Sequence, residues 1–291
     1  MNHKTKKINL FALSIIVITA SIIMLVSSFT KYNQAESQNT IINPEGKTLA
    51  SRFNPPAGFH RVETSENSFA HYLQTLPLKK SGSKVRLYNG NLKANQATHE
   101  AVVDISVGTK NLQQCADACM RLRAEYLFKT KQFNKIRFKL SNGFDARYEK
   151  WTQGYRIKIE GNKTNWIKRS EPSNTYADLM SYLEIVFSYA GTLSLSKELK
   201  KVKLNEMEPG DMFITGGSPG HAVMVVDMTI HPETKQKLFM LVQSYMPAQD
   251  IHILKNLNNN NLSPWYPLNF GLDLNTPEWD FSTNDLMRFG D

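Results

Sequence analysis

The pattern of apolar and polar residues divides the chain into helical and extended segments. Apolar positions recur every three or four residues in three segments, which predicts helices over 68–78, 111–130 and 174–191. Asn111 precedes the second helical pattern and is placed to cap it, with Gln114 at the capping-box position. Asn174 or Thr175 occupies the corresponding place before the third.

Extended segments follow the alternating or continuously apolar patterns typical of strands. We predict strands over 98–108, 135–140, 146–151, 154–161, 211–215, 221–228 and 237–245. The segments between 135 and 161 lie close together and favour an antiparallel meander, whereas the tail from Ser263 favours ordered coil over the sheet. Helices that interrupt an antiparallel strand series predict an α+β fold.

The first 30 residues have the composition of an export segment. Three lysines in MNHKTKK precede an uncharged run from Ile8 to Thr30. That run is long enough to cross a bilayer, so both a cleaved signal peptide and a retained membrane anchor remain open. Either one places the protein outside the cytoplasm, in the periplasm or on the outer face of the cytoplasmic membrane. Polar residues 31–57 predict a linker, and 58–291 a single α+β domain.

Composition excludes gross disorder, since 41% of the residues are hydrophobic and 21% are charged. Three of the nine net positive charges lie in residues 1–28, which leaves +6 for the remainder. This excess fits a solvated basic surface, or attraction to polyanions such as cell-wall polymers. Basic and aromatic residues do not interleave as in nucleic-acid-binding proteins, and no histidine spacing indicates a metal. We therefore expect no nucleic acid, metal or cofactor, and membrane contact only through the N-terminal segment.

The two cysteines, Cys115 and Cys119, stand four residues apart in a predicted helix. Side chains at that spacing project side by side, which does not suit a disulfide, so we predict two free thiols. Near the start of a helix, the dipole and unpaired N–H groups favour a thiolate at Cys115. The same residue also lies on the apolar stripe of the helix, so a buried structural cysteine is the competing interpretation.

GGSPGHAVMVVD (216–227) places His221 where a turn-rich loop enters an apolar strand. Folding strands 221–228 and 237–245 into a hairpin gives paired residue numbers that sum to roughly 464 to 466. An even sum puts His221 and Gln243 on one face of the sheet. A Gln amide oxygen can hold one ring N–H and fix the tautomer of a histidine base. Two polar strand-end residues with no catalytic role are the alternative.

Polar groups also gather in QSYMPAQDIHIL, where Asp250 or His252 is an alternative to Gln243 as the third residue of a site. A buried polar network that holds the loop is the non-functional interpretation. The residues predicted to bind a ligand come from this segment and from the glycine-rich loop: Gly217, Ser218, Gly220, Tyr245, Gln249, Asp250 and His252.

The order of these features resembles the NlpC-type and CHAP-type cell-wall amidases. The shared features are a helix-borne Cys, a second helix, a strand opening with Pro209-Gly210-Asp211, and a Gly-His strand. The resemblance implies a papain-like antiparallel sheet packed against a Cys-bearing helix. It also implies that Cys115 is the nucleophile, His221 the base and Gln243 the orienting residue. The chain departs from those families in having Gln-Gln-Cys-Ala-Asp at the helix start.

Longer strings are similar to an uncharacterised family of exported bacterial proteins, the domain-of-unknown-function 4846 family. They are QCADACMRLRAEYL, YAGTLSL, GDMFITGGSPGHAVMVVD and QSYMPAQDIHILKN. This resemblance implies no activity.

Two functions are therefore expected to compete. The first is a cell-envelope thiol hydrolase that cleaves amide bonds, for example in peptidoglycan peptides. The second is a non-catalytic binding module of the same fold, which holds glycan or peptide with the GGSPGH loop, Trp265 and Tyr266.

Overall fold

The computed structural model describes residues 40–290. Its helices are α1 (Leu49–Arg52), α2 (Phe69–Gln74), α3 (Cys115–Lys129), α4 (Tyr148–Thr152), α5 (Tyr176–Tyr189) and α6 (Thr192–Glu198). The first seven strands are β1 (His60–Arg61), β2 (His99–Val102), β3 (Arg137–Lys139), β4 (Asp145–Arg147), β5 (Tyr155–Glu160), β6 (Lys163–Lys168) and β7 (Lys200–Lys201). The remaining strands are β8 (Met212–Thr215), β9 (His221–Ile230), β10 (Lys237–Gln243), β11 (His252–Leu254), β12 (Trp265–Pro267), β13 (Asp273–Asn275), β14 (Asp280–Ser282) and β15 (Leu286–Arg288).

A nine-stranded antiparallel sheet forms the centre of the molecule. Its main path runs β2-β11-β10-β9-β8-β15-β7, while β1 pairs with β9 and β12 with β10. The long strands β9 and β10 are buried almost throughout, and α3 packs against β9. The mixed α and β architecture with a large antiparallel sheet, predicted from the sequence, is confirmed.

Aromatic and aliphatic side chains cover the sheet face that carries the odd-numbered residues of β10. This core cluster includes Phe213, Val223, Val225, Phe239, Leu241, Phe281 and Leu286. His221 and Gln243 continue the same alternation at the ends of their strands, since side chains on one face recur every second residue. The core therefore extends up to the polar pair that the sequence singled out.

The pairing of β9 with β10 changes register in the middle of the hairpin. From Lys237↔Ile230 to Met240↔Asp227 the residue numbers sum to 467, and Leu241↔Val225 and Val242↔Met224 sum to 466. Val226 is thus the extra residue of a β-bulge. Without it, Gln243 would lie opposite Met224 and on the face away from His221. The bulge produces the even sum that the hairpin prediction required.

Residues 42–57 belong to the folded domain, although their polar composition predicted a linker. The side chains of Leu49 and Phe53 are fully buried, and Ile42 bridges to Phe53. Arg52 is also buried, and its Nε donates to the carbonyl of Gly46 at 2.8 Å. Leu49 and Phe53 are thus the apolar side chains that pack this otherwise polar segment against the domain.

The predicted meander over 135–161 is wrong. β3 pairs with β4, and β5 pairs with β6, so the segment and its continuation form two separate hairpins. Residues 148–152 are helical, and the side chains of Tyr148 and Trp151 are buried. A helical turn buries both rings on one side, and this burial outweighs the alternation of apolar and polar residues that favoured a strand.

The tail from Ser263 adds strands to the sheet instead of lying over it as coil. β12 pairs with β10 and β15 pairs with β8, while β13 and β14 form a hairpin between them. This hairpin brings Glu278 and Trp279 to the end of the sheet where β9 begins. The predicted export segment, residues 1–30, lies outside the described residues. Within residues 40–290 no helix has the length and hydropathy needed to cross a membrane.

Candidate functional site

Cys115 is the first residue of α3, which begins four residues later than the helix predicted over 111–130. The helix begins after Gln114, whose backbone N–H donates to Oδ2 of Asp117 at 3.0 Å. The predicted cap, Asn111, instead accepts the N–H of Ala248 at 2.8 Å. The first intrahelical bond runs from Ala118 N–H to the carbonyl of Gln114. The N–H groups before it are free of helical partners and face the end where the sulfur lies.

The sulfur of Cys115 lies beside the start of β9. Hydrogen bonding from the backbone N–H groups of Ala116 and Ala222 lowers the pKa of the thiol, and Ala222 directly follows His221. Burial has the larger effect and raises the pKa above its ordinary value of 9.0, and Asp117 raises it further. Cys115 is therefore a neutral thiol at neutral pH, with 7% of its surface exposed.

His221 is hydrogen-bonded to Gln243, the contact expected for a hairpin with an even sum. Its Nε2 lies 2.8 Å from Oε1 of Gln243, and both residues are 1% exposed. Because these residues lie on one sheet face at the open end of the hairpin, the ring is held at the rim of the sheet. Among residues 40–290, no direct hydrogen bond joins the imidazole to the Cys115 thiol.

The protonation of His221 follows from the hydrogen bonds of its partner. The amide nitrogen of Gln243 donates to Oε2 of Glu278 at 2.6 Å and to Nε2 of His252 at 3.3 Å. A carboxylate only accepts, so the amide oxygen is the atom that faces His221. The Nε2 of His221 must then donate, and its Nδ1 carries the lone pair.

Aromatic rings surround the imidazole of His221. Ring centroids lie 4.9 Å away for Tyr245, 5.6 Å for Trp279 and 6.0 Å for Phe281. Burial among them lowers the pKa of His221 from 6.5 to about 4 and outweighs the opposing effect of its bond to Gln243. The ring is thus a neutral base over the whole physiological range.

Tyr245, predicted as a binding residue, lies next to His221 and within electrostatic reach of Cys115. Its ring meets the His221 ring edge-on, and Cys115 is close enough to raise the pKa of its phenol. Burial and the charge of Glu278 raise the same pKa. Tyr245 is partly exposed, so its ring forms part of the site's surface.

The glycine-rich loop before β9 packs too tightly for side chains. A Cβ on Gly220 would lie 2.5 Å from Oγ1 of Thr192 and 2.7 Å from the carbonyl oxygens of Thr215 and Gly217. The Thr192 hydroxyl also donates to the Gly217 carbonyl at 3.1 Å. The loop is therefore fastened to the start of α6, and Ser218 at its tip is exposed.

The other predicted binding residues hold the loop after β10. The carboxylate of Asp250 accepts hydrogen bonds from Nζ of Lys79 at 3.0 Å and from the N–H of Arg86 at 2.9 Å. Gln249 is 1% exposed, and its carbonyl accepts the hydroxyl of Ser244 at 2.9 Å. His252 hydrogen-bonds Gln243, and among residues 40–290 no hydrogen bond joins it to His221. Gln243 is therefore the only one of the three candidate third residues that bonds His221 among the described residues.

Trp265 and Tyr266 do not form the ligand platform that a binding module of the predicted kind would use. They are 0% and 2% exposed. Trp265 Nε1 donates to the carbonyl of Asn54 at 3.0 Å, and the hydroxyl of Tyr266 donates to the carbonyl of Lys255. Both rings belong to the core.

Three residues at the site carried no signal in the sequence: Lys93, Glu278 and Trp279. The Nζ of Lys93 lies 2.5 Å from Oε2 of Glu278, the carboxylate that accepts the Gln243 amide. These residues come from segments without helical or strand periodicity.

The family model for "Domain of unknown function (4846)" matches residues 49–288. The chain belongs to this family. No curated protein and no solved structure matches it, so the remote resemblance to NlpC-type and CHAP-type amidases receives no support from these comparisons.

Proposed function

We propose that the protein is a papain-like thiol hydrolase that cleaves amide bonds, with Cys115 as nucleophile, His221 as general base and Gln243 as orienting residue. The main support for this proposal is that Cys115 and His221 come together at one end of the sheet. A cysteine that opens a helix lies beside the start of the strand that presents His221, whose Nδ1 lone pair is left available by the bond to Gln243.

The resting state is a neutral pair, because burial lowers the pKa of His221 to about 4 and raises that of Cys115. The first chemical step is therefore general-base catalysis. As the substrate carbonyl reaches the sulfur, Nδ1 of His221 takes the thiol proton, and the sulfur attacks the carbonyl carbon. The dyad closes to hydrogen-bond distance in this complex, since catalytic contacts are often longer in unliganded enzymes.

The start of α3 supplies the electrostatic stabilisation that the reaction needs. The oxygen of the tetrahedral intermediate carries a negative charge, and in this proposal it is bound by first-turn N–H groups of α3, which have no partner within the helix. The imidazolium then protonates the leaving amine, and the C–N bond breaks to give a thioester. Water, deprotonated by Nδ1, attacks the thioester carbonyl, which releases the carboxylic acid and restores the thiol.

The substrate class that we propose is a peptide amide of the cell envelope, in particular of peptidoglycan. Support comes from the sequence of residues 1–30, which has the pattern of an export segment, and from the net positive charge of the remainder. The enzyme would then act in the periplasm or at the outer face of the cytoplasmic membrane.

Reaction with iodoacetamide, followed by mass spectrometry of the native protein, tests the nucleophile. We expect alkylation of Cys115 alone, because Cys119 is 1% exposed and burial raises its pKa far above the ordinary value. The Cys119→Ala variant should label as the wild type does, and His221→Ala should react more slowly near neutral pH. An unmodified Cys115 in the folded protein would contradict the assignment.

A further inference from the structure

A buried ion pair lies directly behind the Gln243 amide. Lys93 Nζ and Glu278 Oε2 are 2.5 Å apart, and their side chains are 8% and 14% exposed. The same ammonium donates to Oγ1 of Thr98 at 2.9 Å. An ion pair in such a position adds little stability over an apolar pair of the same size, so its contribution is better sought in the orientation of its neighbours.

The neighbour that needs orientation is an amide. The oxygen and nitrogen of a Gln side chain have nearly the same shape, so only hydrogen-bond partners decide which of them faces a histidine. Glu278 accepts one amide hydrogen of Gln243 at 2.6 Å. His252 donates from Nδ1 to the Asp250 carbonyl at 2.8 Å, so its Nε2 is free to accept the other, at 3.3 Å.

We propose that Glu278, held in place by Lys93, is a positioning residue that orients Gln243 and thereby fixes His221 as the Nε2–H tautomer. This role rests on the proposed function. With the amide reversed, the NH2 group would face Nε2, which would have to accept. The ring proton would then sit on Nδ1, where it blocks removal of the thiol proton. A charge-assisted bond from Glu278 favours one amide orientation over the other.

The same contacts tie distant parts of the chain to the site. Lys93 lies in the segment before β2, and Glu278 in the turn between β13 and β14. The neighbouring Trp279 packs on the ring of His221. The C-terminal hairpin thus contributes both the carboxylate that sets the amide and a ring that covers the base.

Two charge-neutral double variants isolate this role. Lys93→Met/Glu278→Gln removes both charges and keeps a side-chain oxygen that can accept from Gln243. Lys93→Met/Glu278→Leu removes both charges and the acceptor. Because neither leaves an unpaired buried charge, both should fold, which circular dichroism checks. The readouts are the ¹⁵N resonances of the His221 ring, which report its tautomer, and the alkylation rate of Cys115 in a Cys119→Ala background.

We expect the Gln variant to keep the Nε2–H tautomer. The Leu variant should show a larger share of the Nδ1–H form, because only the 3.3 Å contact with His252 then orients the amide, and an alkylation rate at pH 7.5 that falls in proportion to the remaining Nε2–H form. An unchanged tautomer in both variants would overturn the role of Glu278 and leave the proposed hydrolase intact. A tautomer that changes in the Leu variant while Cys115 proves unreactive in every form would support the role and reject the hydrolase.

Discussion

Gln243 lies diagonally across the β9–β10 ladder from His221, two residues away from the directly opposite position, and its amide oxygen is 2.8 Å from Nε2 of the ring. Cross-strand neighbours at this offset are close enough for long side chains to bond. The contact fixes which nitrogen of a buried imidazole carries the proton. The chemistry proposed for Cys115 depends on that choice.

The first prediction concerns the charge of His221. An unfolded chain protonates this ring near pH 6.5, and the folded protein only near pH 4. Between these values the unfolded state binds more protons, so the free energy of unfolding decreases as the pH falls from 6.5 to 4. The contribution of His221 is on the order of 3 kcal/mol.

A ¹⁵N NMR titration checks this directly. The ring of His221 should stay neutral at pH 5.5, where an unperturbed imidazole is mostly protonated. Protonation of His221 at that pH would show that the ring is solvated. It would also contradict a resting state in which the His221 imidazole and the Cys115 thiol are both neutral.

The second prediction concerns Asp117, whose burial raises its pKa from 3.8 to about 8. From pH 4 to pH 8 the folded state binds more protons than the unfolded state, so stability decreases as the pH rises. Asp117→Asn should remove this decrease. It should also lower the pKa of Cys115, because the carboxylate charge is one of the causes that raise it.

Urea unfolding at pH 5 and pH 8 measures the first effect, and the pH profile of Cys115 alkylation the second. Asp273→Asn, at an exposed position on β13, is the matched control and should change neither. Identical pH dependence in Asp117→Asn and wild type would mean that the carboxyl group is solvated.

The third prediction concerns the loop that delivers His221. Gly220→Ser should destabilise the protein by about 1–3 kcal/mol, because the new Cβ would meet two backbone carbonyl oxygens at 2.7 Å, and backbone cannot turn aside as a side chain can. Gly191→Ser is the control. No atom lies within 4 Å of a Cβ there, and Ser is a favourable residue before a helix. Equal midpoints in urea for the two variants would refute the tight packing of the loop.

The sequence predicted the elements of the candidate site better than their surroundings. Helix α3 and the β9–β10 hairpin follow from periodicity, which local side chains determine, whereas the contact of His221 with Gln243 was expected only for a hairpin with an even sum. The start of α3 was misplaced because Asn111 and Asp117 are both suitable capping groups. In the folded protein the side chain of Asn111 accepts the N–H of Ala248 and does not cap the helix. The side chain that accepts the Gln114 N–H at the helix start is Asp117.

The β-bulge at Val226 could not be predicted, since the apolar run around it looks the same in either register. Glu278 and Lys93 were missed because a buried ion pair between two irregular segments has no local pattern. The docking of residues 42–57 depends on Leu49 and Phe53, which a composition average over a polar stretch conceals.

Digestion of purified peptidoglycan, with mass spectrometry of the soluble products, is the decisive test of whether Cys115 and His221 catalyse amide hydrolysis. We expect the wild type to release fragments with new free amino groups, and folded Cys115→Ala and His221→Ala to release none above background. Release of the same fragments by Cys115→Ala, or no release by the wild type, would contradict the proposal that this protein is a thiol hydrolase of the cell wall.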